Sequence, residues 1–202
     1  MRIKFNVPKG KFYVVKWYSS APPGGYKGGP PMTGYRDNRI DIYWERHVQI
    51  EQIGSPKAFY ATKNGKAHLK VDGGGYGAFF IKPSELSKTG AIQIRTNDSV
   101  ISVIDTGNSQ LLCSEILVSG ATYDLTLLNL TKWGPLVGLY VQIAAYGEQS
   151  DKEYFRGERS INIEAGGLKV LQITPVMNEK VYFVVTGSFW YSASTYSIKI
   201  SR

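Results

Sequence analysis

Apolar and polar residues alternate one for one in run after run of this chain, and that period of two fits a strand with one buried face. Ala67, Leu69 and Val71 alternate with Lys66, His68 and Lys70; Ile92 and Ile94 flank Gln93; Tyr196, Ile198 and Ile200 alternate with Thr195, Ser197 and Lys199. Further strand patterns lie at 12–17, 40–44, 48–53, 77–81, 100–104, 111–118, 123–130, 137–145, 168–174 and 181–186. No helical period runs beyond a turn or two, and Pro83–Ser87 is expected to make one turn. The chain therefore reads as all-β.

Turn chemistry separates the runs. Asn64-Gly65 sits between two strand patterns and predicts a type I′ hairpin, which needs positive φ at both central residues. Asp72-Gly73-Gly74-Gly75, Gly107-Asn108 and Gly166-Gly167 are further breaks. Closely spaced strands without helices between them imply antiparallel sheets stacked as a β-sandwich or jelly roll, either one large unit or two tandem sandwiches. Two strands are apolar on both faces. Leu139, Val141 and Ile143 oppose Tyr140, and Val181, Phe183 and Val185 oppose Tyr182 and Val184. Such strands require cover on both sides, from a second sheet and from either the first half of the chain or another subunit.

Charge divides the chain. Residues 1–100 hold 16 Lys/Arg against 7 Asp/Glu, a net of +9; residues 101–202 hold 8 against 9, a net of −1; together they give the overall +8. The expected division is a basic β-domain over 1–106 and a neutral β-sandwich domain over 107–202. The basic side chains Lys63, Lys66, Lys70 and Arg95 would form a face toward an anionic neighbour, either nucleic acid or lipid. No run of consecutive Lys/Arg and no base-reading motif accompanies them.

Residues 19–35 are a Pro/Gly/Tyr segment that cannot pack a core. It reads as a linker, as a polyproline arm, or as a loop that fills a groove on a neighbouring subunit. Its contact points favour an interaction arm: Pro22, Pro23, Tyr26, Lys27, Pro30, Pro31, Met32, Tyr35 and Arg36.

Catalytic chemistry finds no motif. His47 and His68 have no ligand-spaced neighbour, so no metal and no cofactor are expected. The Asp72–Gly77 run lacks the helix that a phosphate cradle needs, and no Gly-x-Ser-x-Gly elbow is present. Acids such as Asp98 and Asp124 sit beside turns or bases, where capping explains them. Cys113, the single cysteine, lies among Leu111, Leu112, Ile116 and Leu117 and reads as a buried, inert thiol. No catalytic residue and no small-molecule substrate are assigned. Phe189-Trp190-Tyr191 is a candidate platform for a sugar ring, with Trp190 and Tyr191 as the stacking residues; the bland reading puts those rings at the end of a sandwich or in an interface. No secretory signal is read in Met1–Pro8, and no apolar run approaches a membrane span.

One stretch carries a resemblance. Phe59-Tyr60-Ala61, then Ala67–Gly74 ending in Asp72-Gly73, then Gly77–Ile81, then Ile92-Gln93-Ile94 and Ser102-Val103-Ile104 follow in order. This set resembles the small β-sandwich virion structural proteins of bacterial viruses, as does the opening Phe5–Gly10. The resemblance implies a capsid-associated structural role, no catalysis, a location in the virion after synthesis in a host cytoplasm, and assembly with copies of itself and with other capsid proteins. The alternative is a carbohydrate-binding β-sandwich that uses the exposed aromatics.

Overall fold

The computed structural model describes residues 2–19, 39–44, 49–50, 57–61, 63–72, 79–104, 108–131, 139–155, 161–187 and 193–202. Their strands form four sheets. The first is ordered β1-β6-β3-β4, with β1 Arg2–Val7, β6 Gly65–Asp72, β3 Arg39–Trp44 and β4 Gln49–Ile50. The second is β5-β2-β7, with β5 Lys57–Tyr60, β2 Phe12–Ser19 and β7 Phe79–Leu86. A central sheet runs β13-β12-β16-β10-β8, with β13 Glu153–Phe155, β12 Leu139–Gly147, β16 Glu179–Gly187, β10 Ser109–Leu117 and β8 Ile92–Ile94; β14, Ile161–Ile163, also pairs with β12. An outer sheet runs β15-β11-β17-β9, with β15 Leu168–Ile173, β11 Tyr123–Asn129, β17 Ser194–Ser201 and β9 Ser99–Ile104. The all-β sandwich expected from the period of two is the observed architecture.

The central and outer sheets face each other across the main core. Tyr196, Ile198 and Ile200 of β17 are fully buried there, together with Leu125 and Leu127 of β11 and Val181, Phe183 and Val185 of β16. Each such side chain contributes roughly 1.5–3 kcal/mol by leaving water. The far face of the central sheet is also covered. Leu111, Cys113, Ala144, Tyr146, Tyr182 and Val184 pack against Phe12 and Tyr60 of the second sheet and against Ala91. The cover that the two-faced strands require comes from the first half of the chain. Cys113 is buried as expected, and burial pushes its thiol up from the ordinary value.

Three local expectations are corrected. Asn64-Gly65 closes no hairpin, because β5 pairs with β2 whereas β6 pairs with β1 and β3. Neither residue has positive φ. The Asn64 side chain instead accepts from the Lys9 amide at 2.7 Å, beside the start of the β1–β6 ladder at Val7–Gly65. Pro83 makes no helical turn; it lies in β7 opposite Val15 of β2. β7 is an edge strand, where a missing N–H costs no ladder bond. The one 3-10 turn among the described residues follows at Lys88–Gly90. Finally, β8 runs parallel to β10, with Ile92, Gln93 and Ile94 opposite Leu112, Cys113 and Ser114. The chain passes through the outer sheet as β9 between them, a crossover that a parallel pair requires. β8 and β9 precede residue 107 yet hydrogen-bond to strands that follow it, so sheet membership changes between β7 and β8.

Candidate functional site

The residues singled out by sequence fall in different places. Residues 20–35 and Arg36 of the arm, and Trp190 and Tyr191, lie outside the described residues. Lys63 and Lys66 are exposed where the chain bends into β6, and Lys70 follows in that strand opposite Arg2 and Asp41. Arg95 is exposed just after β8, on the central sheet instead of the first. Three surface features of the described residues merit a functional reading.

The first is a cleft made by a β-bulge. The β10–β16 register slips between Cys113 and Ile116, and Glu115 and Ile116 consequently both face solvent. Buried Ser114 satisfies the slip by accepting from the Val181 amide at 2.8 Å and donating to the Glu115 carbonyl at 2.6 Å. The side chains thus turned outward, with Gln93, Ile94, Arg95 and Lys180, line an open cleft of about 540 Å³. Thr96 holds Glu115: its hydroxyl and its amide, the latter at 2.9 Å from Oε1, keep the carboxyl below its ordinary value. An amide, a guanidinium, a carboxylate and an ammonium around an apolar Ile116 can together bind a polyhydroxylated or anionic ligand.

The second is a junction of tyrosines and carboxylates between the halves. Phe12 stands with its ring centroid 4.7 Å from Tyr60, 5.3 Å from Tyr182 and 5.9 Å from Tyr146. The Lys88 ammonium lies 4.8 Å from the Tyr182 centroid and 3.8 Å from Glu148. Three phenols donate to acids that follow β12, two in the loop and one at the start of β13: Tyr182 to Glu148 at 3.1 Å, Tyr60 to Asp151 at 2.8 Å and Tyr146 to Glu153 at 3.1 Å. Burial, then the hydrogen bond to Asp151, raises the Tyr60 phenol well above its ordinary value. Asp151 also pairs with Lys9 at 2.6 Å. Burial opposes its ionisation, but Lys9 and Tyr60 together hold its carboxyl below the ordinary value. Lys9 and Lys88 of the basic half thus face Asp151 and Glu148 of the neutral half, and part of the charge step is satisfied inside the molecule. Every group in this junction has a partner within the chain, so the junction reads as architecture.

The third is the solvent face of the outer sheet. Its register sets Leu168 beside Leu128, Leu128 beside Ser197 and Ser197 beside Ile101, a row across all four strands. Val170, Thr126, Lys199 and Ser99 form the next row. Ile101 is 68% exposed and Leu168 62%, with Val103 and Val170 also open to solvent. In these two rows Lys199 is the only charge. The apolar side chains fall in two groups, Ile101 with Val103 on β9 and Leu168, Val170 and Leu128 on β15 and β11, separated by Ser197, Thr126 and Lys199. Exposed apolar groups that lie together on a sheet are the ones that can serve as contact surface. The sequence carried the signal in β9, where Ile101 and Val103 oppose Val100 and Ile104, so that both faces are apolar.

Among the described residues no group of three His, Cys, Asp or Glu side chains is placed to hold a metal ion, and no helix is long and apolar enough to cross a membrane. No protein-family model matches the chain, and no curated protein matches it in sequence. Among solved structures, the pre-peptidase C-terminal domain of a Bacillus anthracis collagenase is 18% identical with a TM-score of 0.35, covering 55% of this chain and 93% of that one. A carbohydrate-binding module of the β-sandwich superfamily is 9% identical with a TM-score of 0.28, covering 99% and 97%. A triple jelly-roll protein from the turret assembly of an archaeal virus is 12% identical with a TM-score of 0.27, covering 98% of this chain and 54% of that one. At these scores the likenesses carry no argument about role.

Proposed function

We propose that this chain is a non-enzymatic structural protein of a virus particle, a minor capsid, decoration or vertex component that assembles through its β-sandwich surfaces. The observation that carries the reading is the outer sheet's solvent face, where Ile101, Val103, Leu168 and Val170 are open to solvent and two adjacent rows hold Lys199 as their one charge. A soluble protein that leaves such a face uncovered gains by burying it against a partner. The capsid assignment draws on the resemblance of residues 57–104 to virion β-sandwich proteins. The basic side chains Lys63, Lys66, Lys70 and Arg95 would then meet an anionic neighbour, genome or lipid, and the 19–35 arm would extend the contact to an adjoining subunit.

Sedimentation velocity on the full chain tests this. Self-association is expected, and because the face is apolar it should persist at high salt. Leu168→Lys should weaken it at least about tenfold, corresponding to about 1.4 kcal/mol. A chain that stays monomeric up to about 100 μM, an affinity too weak for a stable assembly, overturns self-assembly through this face. The second reading, a carbohydrate-binding module, has its own support in the bulge cleft, whose Gln93, Arg95, Glu115 and Lys180 suit sugar hydroxyls. A monomer whose binding of polysaccharide is lost in Arg95→Ala would select it through the cleft, and one whose Trp fluorescence response to polysaccharide is lost in Trp190→Ala would select it through the aromatic platform.

A further inference from the structure

Sheet edges are where β proteins pair unless something prevents it, and natural edges carry charges, prolines, bulges or short strands as guards. Nearly every edge among the described strands is guarded. β1 carries Arg2 and Lys4, β5 Lys57, β7 Pro83 and β15 Lys169, while β4, β8, β13 and β14 are two or three residues long. β9 is the exception. Ser99-Val100-Ile101-Ser102-Val103-Ile104 is six residues long, has no charge and no proline, and pairs with β17 without a register shift. β17 is its one strand neighbour among the described residues. Its β-branched residues favour the extended state whether or not a second neighbour is present.

We infer that β9 is a pairing edge whose occupant is β9 of a second copy of this chain, joined antiparallel about a two-fold axis. The inference rests on the reading of this chain as an assembling protein and adds an in-plane contact at the sheet edge, distinct from the face tested by Leu168→Lys. An antiparallel strand is self-complementary under a two-fold axis, because each copy offers the other the same row of amides and carbonyls. Centred on Ile101, the pairing sets Ile101 against its own copy and Ser99 against Val103. Side chains keep their faces in this register: Val100, Ser102 and Ile104 stay toward the two cores, and the exposed row Leu168, Leu128, Ser197, Ile101 continues into its symmetry mate. Two four-stranded outer sheets become one of eight strands, within the ordinary range of sheet size. The lack of charge on β9 is needed here, because like charges meeting at the axis would repel. The Val103 carbonyl now accepts from Gln110 Nε2 at 2.6 Å. In the dimer it would exchange that donor for the Ser99 amide of the other copy.

Two variants test the axis. Ile101→Cys should form an intermolecular disulfide under mild oxidation, since directly opposed residues of an antiparallel pair lie within disulfide reach. Wild type, whose Cys113 is buried, and Val170→Cys on β15 should remain uncross-linked on a non-reducing gel. Ile101→Lys alters a side chain 68% exposed, so the fold should be retained, as an unchanged thermal midpoint would verify, while association weakens at least about tenfold. If wild type associates, Ile101→Lys leaves it intact and Ile101→Cys fails to cross-link, β9 pairing is overturned and assembly through another surface stands. If wild type is monomeric throughout, both readings fall.

Discussion

Phe12→Ala is expected to lower stability by about 4 kcal/mol, near the middle of the range for removing a fully buried aromatic ring. Phe12 is 0% exposed and stands where the second sheet meets the far face of the central sheet. Its ring touches Tyr60, Tyr146 and Tyr182, so truncation leaves a ring-sized void bounded by three phenols. Those phenols cannot collapse into it without giving up bonds to Asp151, Glu153 and Glu148. The cavity term is therefore retained and not relaxed away. Lys88 also loses a ring 5.9 Å from its ammonium, a smaller effect because that head is partly solvated. Urea denaturation followed by circular dichroism measures the loss, and a dye that reports exposed apolar surface should bind the variant more strongly. A cost below about 1 kcal/mol would mean that the second sheet rests on the central sheet without supporting it.

The need for that cover was legible from the chain, although its source was left between the first half and another subunit. Val181–Val185 alternates apolar with apolar, and a strand of that kind cannot face water on either side. The alternation at Tyr196, Ile198 and Ile200 was equally plain because one face meets solvent and is polar. Sheet membership was not legible. Asn64-Gly65 is a local signal, and local preference yielded to long-range pairing when β5 and β6 entered different sheets. The bulge falls at Ser114-Glu115, two consecutive polar residues inside the strand pattern Leu111–Val118, a break in alternation that by itself does not tell a bulge from a strand end. The cleft was hidden for the same reason: Arg95 was visible as a basic residue, but Glu115 and Lys180 join it only through that slip. Charge by halves does not say where each charge lies: Lys9 and Lys88 face acids of the other half inside the molecule.

Glu179 was the least legible residue of all, and its removal should cost about as much as that of Phe12, roughly 3–5 kcal/mol for Glu179→Ala, because four donors lose one charged acceptor at about 1–3 kcal/mol for each left buried and unpaired. The carboxylate is 0% exposed at the start of β16. It accepts from the Gln149 amide at 2.9 Å, the Ser150 amide at 2.9 Å, the Ser150 hydroxyl at 2.6 Å and the Tyr154 hydroxyl at 2.6 Å. All four donors lie 25 to 30 residues away in sequence, so only the fold assembles them. Gly147 belongs to the same device, since a Cβ there would collide with both Glu179 oxygens and with Ser150 Oγ. Burial by itself raises the carboxyl's pKa, yet Ser150, Tyr154 and Gln149 together hold it below its ordinary value of 4.5. The sign follows from linkage: a carboxyl held lower in the folded state than in the unfolded chain stabilises the fold above about pH 4.5, and that contribution is lost as pH falls through the folded value. Glu179→Gln keeps the shape but presents an amide to donors that need an acceptor, so it should cost about 2 kcal/mol at pH 7. The gap between wild type and Glu179→Gln should then narrow as pH falls from 7 through about 4.5 toward the lower value of the folded carboxyl. Chemical denaturation across that range checks both parts, and a gap that stays constant with pH would show that the ionised form is not what the loop requires.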